Sequence, residues 1–312
     1  MSPVKKISIV SGCLNEAGNV EELVARVAKV MEALPDYDYE QIIIDNASTD
    51  GTQEILRKLA AGNPKLKLIL NARNFGHIRS PYHGLMQASG DAVVYLASDL
   101  QEPPELIPDM IKKWEAGAKA VVAIKDSSDE SPIFFAVRRL YYLLVEGLAE
   151  FKTVKNFTGF GLYDRVIIDY CRTVADPYPY FRGQISEIGL TIAQVSYHQP
   201  ARKRGITKNN FFTLYDLAML GITNHSKVPL RLAAMLGFGM AIMSLLVALV
   251  YLIYKLVFWY SLPVGTAPLV IGLFFFASVQ LFFIGILGEY IGAIHTQVLK
   301  RPLVVEKERI NF

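Results

Sequence analysis

From Leu232 to Gly288 the chain carries a single formal charge, Lys255. Two uncharged, mostly apolar runs lie within that stretch, Leu232 to Tyr254 and Pro268 to Gly288. At about 1.5 Å of rise per residue, each is long enough to cross a hydrocarbon core of about 30 Å. Helices of soluble domains rarely stay apolar all round, so both runs are expected to span a bilayer. The link between them, "WYSLPVGTAP" (259–268), holds proline, glycine and aromatics, which suits a short interfacial turn between antiparallel helices. Lys227 and Arg231 precede the first run, and Lys300 and Arg301 follow the second. Positive outer flanks predict a multi-pass inner-membrane protein with both termini in the cytoplasm.

The polar residues near these runs have two readings each. Glu289 and Tyr290 are expected at the cytoplasmic end of the second span, the acid as a functional group or as an interface residue that snorkels. Residues 209–226 show apolar positions at helical spacing with few charges, which fits a helix lying in the interface or a buried helix of a soluble domain. The N-terminal "MSPVKKISIVSG" is too short in its apolar part for a signal peptide, so the first domain is expected to remain where it is made. Boundaries follow at 1–208 for a cytoplasmic domain, 209–230 for a juxtamembrane segment, and 231–312 for a two-helix membrane domain with a short cytoplasmic tail.

Composition excludes some classes. Of the 312 residues 52% are hydrophobic and 20% charged, an excess concentrated in the second half. The net charge is +3, and no basic stripe is interleaved with aromatics, so nucleic acid is not an expected partner. The two cysteines, Cys13 and Cys171, have neither disulfide nor metal-site spacing, as in a reducing compartment.

The first half alternates strand and helix patterns. "KISIVSGCLNE" (6–16), "YEQIIIDNASTDGT" (39–52), "KLKLILNARNFG" (65–76) and "DAVVYLASDLQEPPE" (91–105) each run from an apolar strand into a polar loop, with helices expected at 19–34, 52–62, 79–89 and from Glu105. A fifth strand is expected at 118–125. The fold class is therefore α/β, a mostly parallel sheet with helices on both faces. Ligands of such sheets bind beyond the carboxyl ends of the strands, where all these loops converge. The dinucleotide fingerprint G-x-G-x-x-G is absent after the first strand, which argues against a dehydrogenase.

Within the loops, Asp45 ends a strand and can either accept hydrogen bonds from a nucleoside or cap the next turn. Ser48 and Asp50 have the character of turn and cap residues. Asp99 and Gln101 offer two hard oxygen ligands on one loop, the kind that Mg2+ or Mn2+ takes together with water and substrate phosphate. Pro103 and Pro104 stiffen that loop and start the next helix. His77, His83 and His198 have no metal spacing.

Taken in order, "CLNEAGNV", "IIIDNASTDGT", "ARNFGHIRSPYHGLMQASGDAVVYLASDLQEPPE", "GFGLYDR", "RKRGITK" and "GEYIG…KRP" resemble the membrane-anchored polyprenyl-phosphate glycosyltransferases of glycosyltransferase family 2, and most of all the bactoprenol glucosyl transferases. Dolichol-phosphate mannose synthases are more distant relatives. The resemblance implies a GT-A fold and inverting transfer of a hexose from a nucleotide sugar, UDP-glucose first and a GDP-mannose-like donor as the alternative, to a polyprenyl phosphate at the cytoplasmic face. It implies Mg2+ or Mn2+ at Asp99 and Gln101. It places Asn15, Glu16, Asp45, Arg73, Ser98, Asp99, Arg202, Arg204 and Lys208 on the nucleotide sugar, and Lys125 with Arg138 or Arg139 on the lipid phosphate. Asp164 and Glu187 are the candidates for contacts to sugar hydroxyls. A homo-oligomer is compatible with all of this. A polysaccharide synthase would carry further acids and spans, and a non-catalytic membrane protein that binds nucleotide sugar would keep the same loops.

Two positions depart from the family pattern. Ala97 stands where the first acid of Asp-x-Asp is usual, leaving Asp99 as the one carboxylate of the motif, and Gly159 stands where an aspartate is usual in Gly-Asp-Phe-Arg-Leu. Basic Arg202, Lys203 and Arg204 are expected to face either the diphosphate or anionic lipid. The acceptor phosphate is anionic at neutral pH, so the expected chemistry needs no general base.

Overall fold

A computed structural model describes residues 4–127, 157–199, 219–221, 223, 226–258 and 266–312. Strands β1 (Lys5–Cys13), β2 (Tyr37–Asp45), β3 (Leu66–Asn71) and β4 (Ala92–Tyr95) alternate with helices α1 (Val20–Glu32), α2 (Thr52–Ala61) and α3 (Gly76–Gln87). After β4 come a 3₁₀ turn at Pro104–Leu106, α4 (Ile107–Glu115), β5 (Ala120–Ser127), β6 (Phe157–Asp164), α5 (Arg165–Val174), α6 (Phe181–Glu187) and β7 (Ile192–His198). Two long helices follow, α7 (Val228–Val257) and α8 (Thr266–Leu299), and then β8 (Glu306–Ile310).

Among the described residues eight strands form one sheet, in the order β7-β5-β6-β4-β1-β2-β3-β8. β1 to β4, β5 and β7 point the same way, whereas β6 runs antiparallel between β4 and β5, and β8 antiparallel beside β3. The strands are apolar on both faces because both faces are covered. Ile7, Ile9 and Ile43 pack against α1, α2 and α4, while Val10, Ile42 and Ile44 pack on the other side with Tyr82, Ile167, Cys171 and Ile185 from α3, α5 and α6. Each such fully buried side chain contributes about 1.5 to 3 kcal/mol of transfer free energy.

The amino ends of the strands carry a buried ion cluster. Glu40 of β2 is paired with Lys6 (3.0 Å) and Lys67 (2.8 Å) and accepts from the Ser8 hydroxyl (2.6 Å) and the Ser89 N–H (2.7 Å). Burial opposes the charged form, but these partners outweigh it and hold the Glu40 carboxyl down at about 2. Gly90 closes against the same corner. A Cβ there would stand 2.6 Å from the Lys6 carbonyl.

The two apolar helices extend beyond the spans expected from charge alone, since α8 continues past Gly288 to Leu299. Both are long and apolar enough to cross a membrane, and their side chains point outward, with Met235, Phe238 and Leu281 each at least 68% exposed. Tyr290 is buried, and its hydroxyl donates to the Ser226 carbonyl at 2.6 Å, pinning α8 to the start of α7. The juxtamembrane expectation at 209–218 lies outside the described residues, and α7 already begins at Val228.

The C-terminal tail differs from expectation. Rather than a free tail of the membrane domain, residues 306–310 complete the sheet, pairing Leu68 with Ile310 and Leu70 with Glu308. Arg57 grips Glu308 at 2.7 Å, and the Asn311 side chain donates to the carbonyls of Ala60, Asn63 and Leu66. The chain thus returns from the second span straight into the sheet.

Candidate active site

The carboxyl ends of the parallel strands make one polar rim, with Cys13 level with Asp45 and Asp45 level with Leu70. Loops after β1 and β2 are sewn together there. The Asn15 N–H donates to Ser48 Oγ at 2.8 Å, the Thr49 N–H donates to Asn15 Oδ1 at 2.8 Å, and the Glu16 N–H donates to Thr52 Oγ1 at 3.0 Å. Asn15 takes φ 57°, a left-handed conformation that asparagine tolerates. Asp45 is fully buried and accepts from the Ser48 hydroxyl and N–H and from Gln53 Nε2. Its first function is therefore to shape the turn that carries Asn46 to Thr49. Ser48 and Asp50 are turn and cap residues as expected, Asp50 accepting from the N–H groups of Thr52 and Ala17.

An asparagine network that the sequence reading missed ties β2 to β3. Asn46 donates to Asn74 Oδ1 (2.7 Å) and accepts from the Phe75 N–H (2.8 Å) and Asn71 Nδ2 (3.2 Å). Arg73 stands exposed beyond it, its guanidinium 4.0 Å from the centroid of the Phe75 ring.

The loop after β4 carries Asp99 and Gln101, and the chain reverses there through Leu100 at φ 62°. Three bonds hold it. Ser98 donates to the Gly12 carbonyl at 2.8 Å, the Gln101 N–H donates to Asp99 Oδ1 at 3.2 Å, and the Ala97 N–H donates to Glu102 Oε2 at 2.7 Å. The buried Ser98 hydroxyl is thus used as a tie between this loop and β1. Glu102, which the sequence reading passed over, is only 6% exposed, and its other oxygen accepts from Thr158 of β6 at 3.0 Å. Burial pushes its carboxyl up to about 7; the Ala97 and Thr158 bonds oppose this, and the Asp99 charge adds to it. The one available signal was an acid between a buried strand and a double proline.

Asp164 is corrected. Because β6 runs antiparallel, its last residue lies level with Ala92, the first residue of β4, at the end of the sheet away from Asp99. There it caps α5 through the Val166 N–H (3.0 Å) and binds Trp114 Nε1 (2.8 Å) and Lys119 (2.9 Å). Burial raises its pKa, but these three partners outweigh it and keep the carboxyl below its ordinary value. Glu187 ends α6 and lines a cleft of about 520 Å³ with Tyr170, Gln184 and Tyr290, against α8. Lys125 lies near the carboxyl end of β5, level with Tyr197, on the rim side. Arg138, Arg139, Arg202, Arg204 and Lys208 lie outside the described residues.

Gly159 explains its own departure from the family pattern. It takes φ 112°, which side-chain-bearing residues rarely adopt, so this backbone favours glycine here.

Asp99 and Gln101 supply one carboxylate and one amide oxygen from a single loop. Among the described residues no cluster of three His, Cys, Asp or Glu side chains could hold a metal alone. The donor set fits a hard cation whose remaining ligands are diphosphate oxygens and water.

A mostly parallel sheet with polar loops gathered at one rim and an acid on the fourth of them is the GT-A architecture, and this protein is a glycosyltransferase of that class, associated with membranes through two apolar helices. A model described as glycosyl transferase family 2 matches residues 8–173, more than half of the chain, and the chain belongs to that family. It is 34% identical over 305 residues to the SfII prophage-derived bactoprenol glucosyl transferase of Shigella flexneri, covering 97% of this chain and 98% of that one. It is 30% identical over 303 residues to a prophage bactoprenol glucosyl transferase homolog of Escherichia coli (strain K12), covering 97% and 98%. Among solved structures it resembles glucosyl-3-phosphoglycerate synthase from Mycobacterium tuberculosis, crystallised with Mn2+, UDP and phosphoglyceric acid. That likeness has a TM-score of 0.50 at 20% identity over 70% of this chain and 76% of the other, and it concerns the fold.

Proposed function

We propose that this protein transfers a hexose, glucose from UDP-glucose, to a polyprenyl phosphate at the cytoplasmic face of the membrane. One observation carries the reading. α8 ends at Leu299, and the Ala72 N–H, just past the carboxyl end of β3, donates to the Val305 carbonyl at 2.9 Å. The membrane helix therefore delivers the chain to the same rim of the sheet that bears Asp99, which brings a water-soluble donor and a lipid acceptor to one place. Pairing of β8 with β3 also keeps the N-terminal domain and the C-terminus on one side of the bilayer, consistent with two spans and cytoplasmic termini. The near full-length relatives named as bactoprenol glucosyl transferases support the acceptor class and the glucose.

In this reading Asn15, Glu16, Asp45 and Arg73 frame the nucleoside, and Asp99 with Gln101 would hold Mg2+ or Mn2+. When bound, such a cation supplies positive charge to the departing diphosphate. The protein's own contribution is placement: the rim holds donor and acceptor in line, and Lys125 stands where an acceptor phosphate approaches. A phosphate monoester is already an anion at neutral pH, so attack on the anomeric carbon needs no general base, and direct displacement inverts the configuration. Arg138, Arg139, Arg202, Arg204 and Lys208 complete the set on sequence grounds.

Membranes bearing the protein are incubated with labelled UDP-glucose, divalent cation and polyprenyl phosphate. The reading expects label in organic solvent as an acid-labile lipid. Label in polymer, label from GDP-mannose alone, or nucleotide binding without transfer would each contradict it.

A further inference from the structure

The loop that presents Asp99 has alanine at position 97 and a single carboxylate on its outer side, yet it is not loose. Ala97 has no polar side chain, and its N–H is taken by Glu102 Oε2, so the loop closes on itself across residues 97–102. The other Glu102 oxygen reaches Thr158, fastening the same loop to β6. A carboxylate this deeply buried is costly unless bonded, and an apolar residue would fill the space at less cost. Close by, the buried Tyr197 hydroxyl has no hydrogen-bond partner among the described residues. Glu102 thus ties the backbone that carries Asp99 both to itself and to β6.

We infer that Glu102 is the positioning residue of the donor-binding loop, a carboxylate that works from beneath through the Ala97 N–H and Thr158 to aim Asp99 and Gln101 at the diphosphate. The inference rests on the proposed function, in which those two side chains face a cation and a nucleotide. Removing Glu102 deprives two part-buried donors of their acceptor at once, the Ala97 N–H and the hydroxyl of Thr158, and so releases both ties that hold residues 97–102. Glutamine is the conservative replacement, because its amide oxygen still accepts from Ala97.

UDP binding to the full-length protein in detergent micelles is measured by calorimetry, with and without Mn2+. In Glu102→Ala the strengthening of UDP binding by Mn2+ falls by about tenfold, the size typical of lost outer-shell support, while the metal-free affinity stays as in the parent. Glu102→Gln restores most of it, and Thr158→Val shows a smaller loss in the same direction. Asp99→Ala is the reference that abolishes the strengthening. If Asp99→Ala keeps it, or the parent never shows it, the proposed role of Asp99 falls, and this inference with it. If Asp99→Ala loses it and Glu102→Ala keeps it, this inference alone is overturned. It is equally overturned if Glu102→Ala weakens metal-free binding as much as the Mn2+ effect, or if Glu102→Gln, which retains the fold, behaves like Asp99→Ala.

Discussion

The Ala72 N–H donates to the Val305 carbonyl at 2.9 Å, joining the carboxyl end of β3 to the residue that precedes β8. This bond and the strand after it fix where the catalytic sheet sits relative to the membrane helices. β8 has little apolar character, so its attachment depends on polar partners: Arg57 with Glu308, His83 with Glu306 at 2.6 Å, and Asn311 with three carbonyls.

Asn311→Ala should therefore loosen the tail. The loss is about 0.5 to 1.5 kcal/mol, the net worth of hydrogen bonds to carbonyls that are part-buried or exposed. Hydrogen exchange reads it: the Ala72 amide should exchange faster in the variant, while amides of β1 remain as they were.

The Glu40 cluster sets an acid limit. Its folded pKa, about 2, lies below the unfolded value of 4.5, so its stabilisation is full above pH 4.5 and fades as the pH falls from there toward 2. Glu40→Gln should remove most of that slope and cost roughly 2 to 3 kcal/mol at neutral pH, since Lys6 and Lys67 lose their counter-ion. Denaturant midpoints across pH 2.5 to 7 compare the two proteins.

Much of the first half was legible because a parallel sheet covered on both faces writes itself as apolar runs ending in polar loops. β1 to β5 and the helices between them follow that code, and so does the position of Asp99. Direction was not legible: the motif around Asp164 is the same whether its strand runs with β4 or against it, and only the antiparallel pairing carries Asp164 to the far end. β8 was missed because "EKERI" alternates charges on an edge strand whose pairing partner is remote in sequence. Glu102 was missed because its partner Thr158 is remote in sequence, so neither the bond nor the burial of the acid is written in the residues around it.

Gly159→Asp puts in the acid that the resemblance led one to expect there, yet should destabilise this protein. At φ 112° a side chain adds strain of about 1 to 3 kcal/mol, and the Cβ would meet the Tyr95 ring at 3.6 Å. Thermal melts should shift downward, with no gain in transfer rate.

Gly90→Ala should do more damage. Its Cβ would fall 2.6 Å from the Lys6 carbonyl and 2.7 Å from the Ser8 amide, both backbone atoms that cannot swing aside. A loss of about 2 kcal/mol or more is expected from overpacking at this corner, read as a lower denaturant midpoint.

The most direct test is a structure of the protein with UDP and Mn2+ bound. The account predicts a cation at about 2.1 Å from the Asp99 carboxylate, completed by diphosphate oxygens, on the rim where α8 hands the chain to the sheet. A cation bound to the diphosphate with Asp99 turned away from it, or UDP seated at the opposite end of the strands, would contradict it.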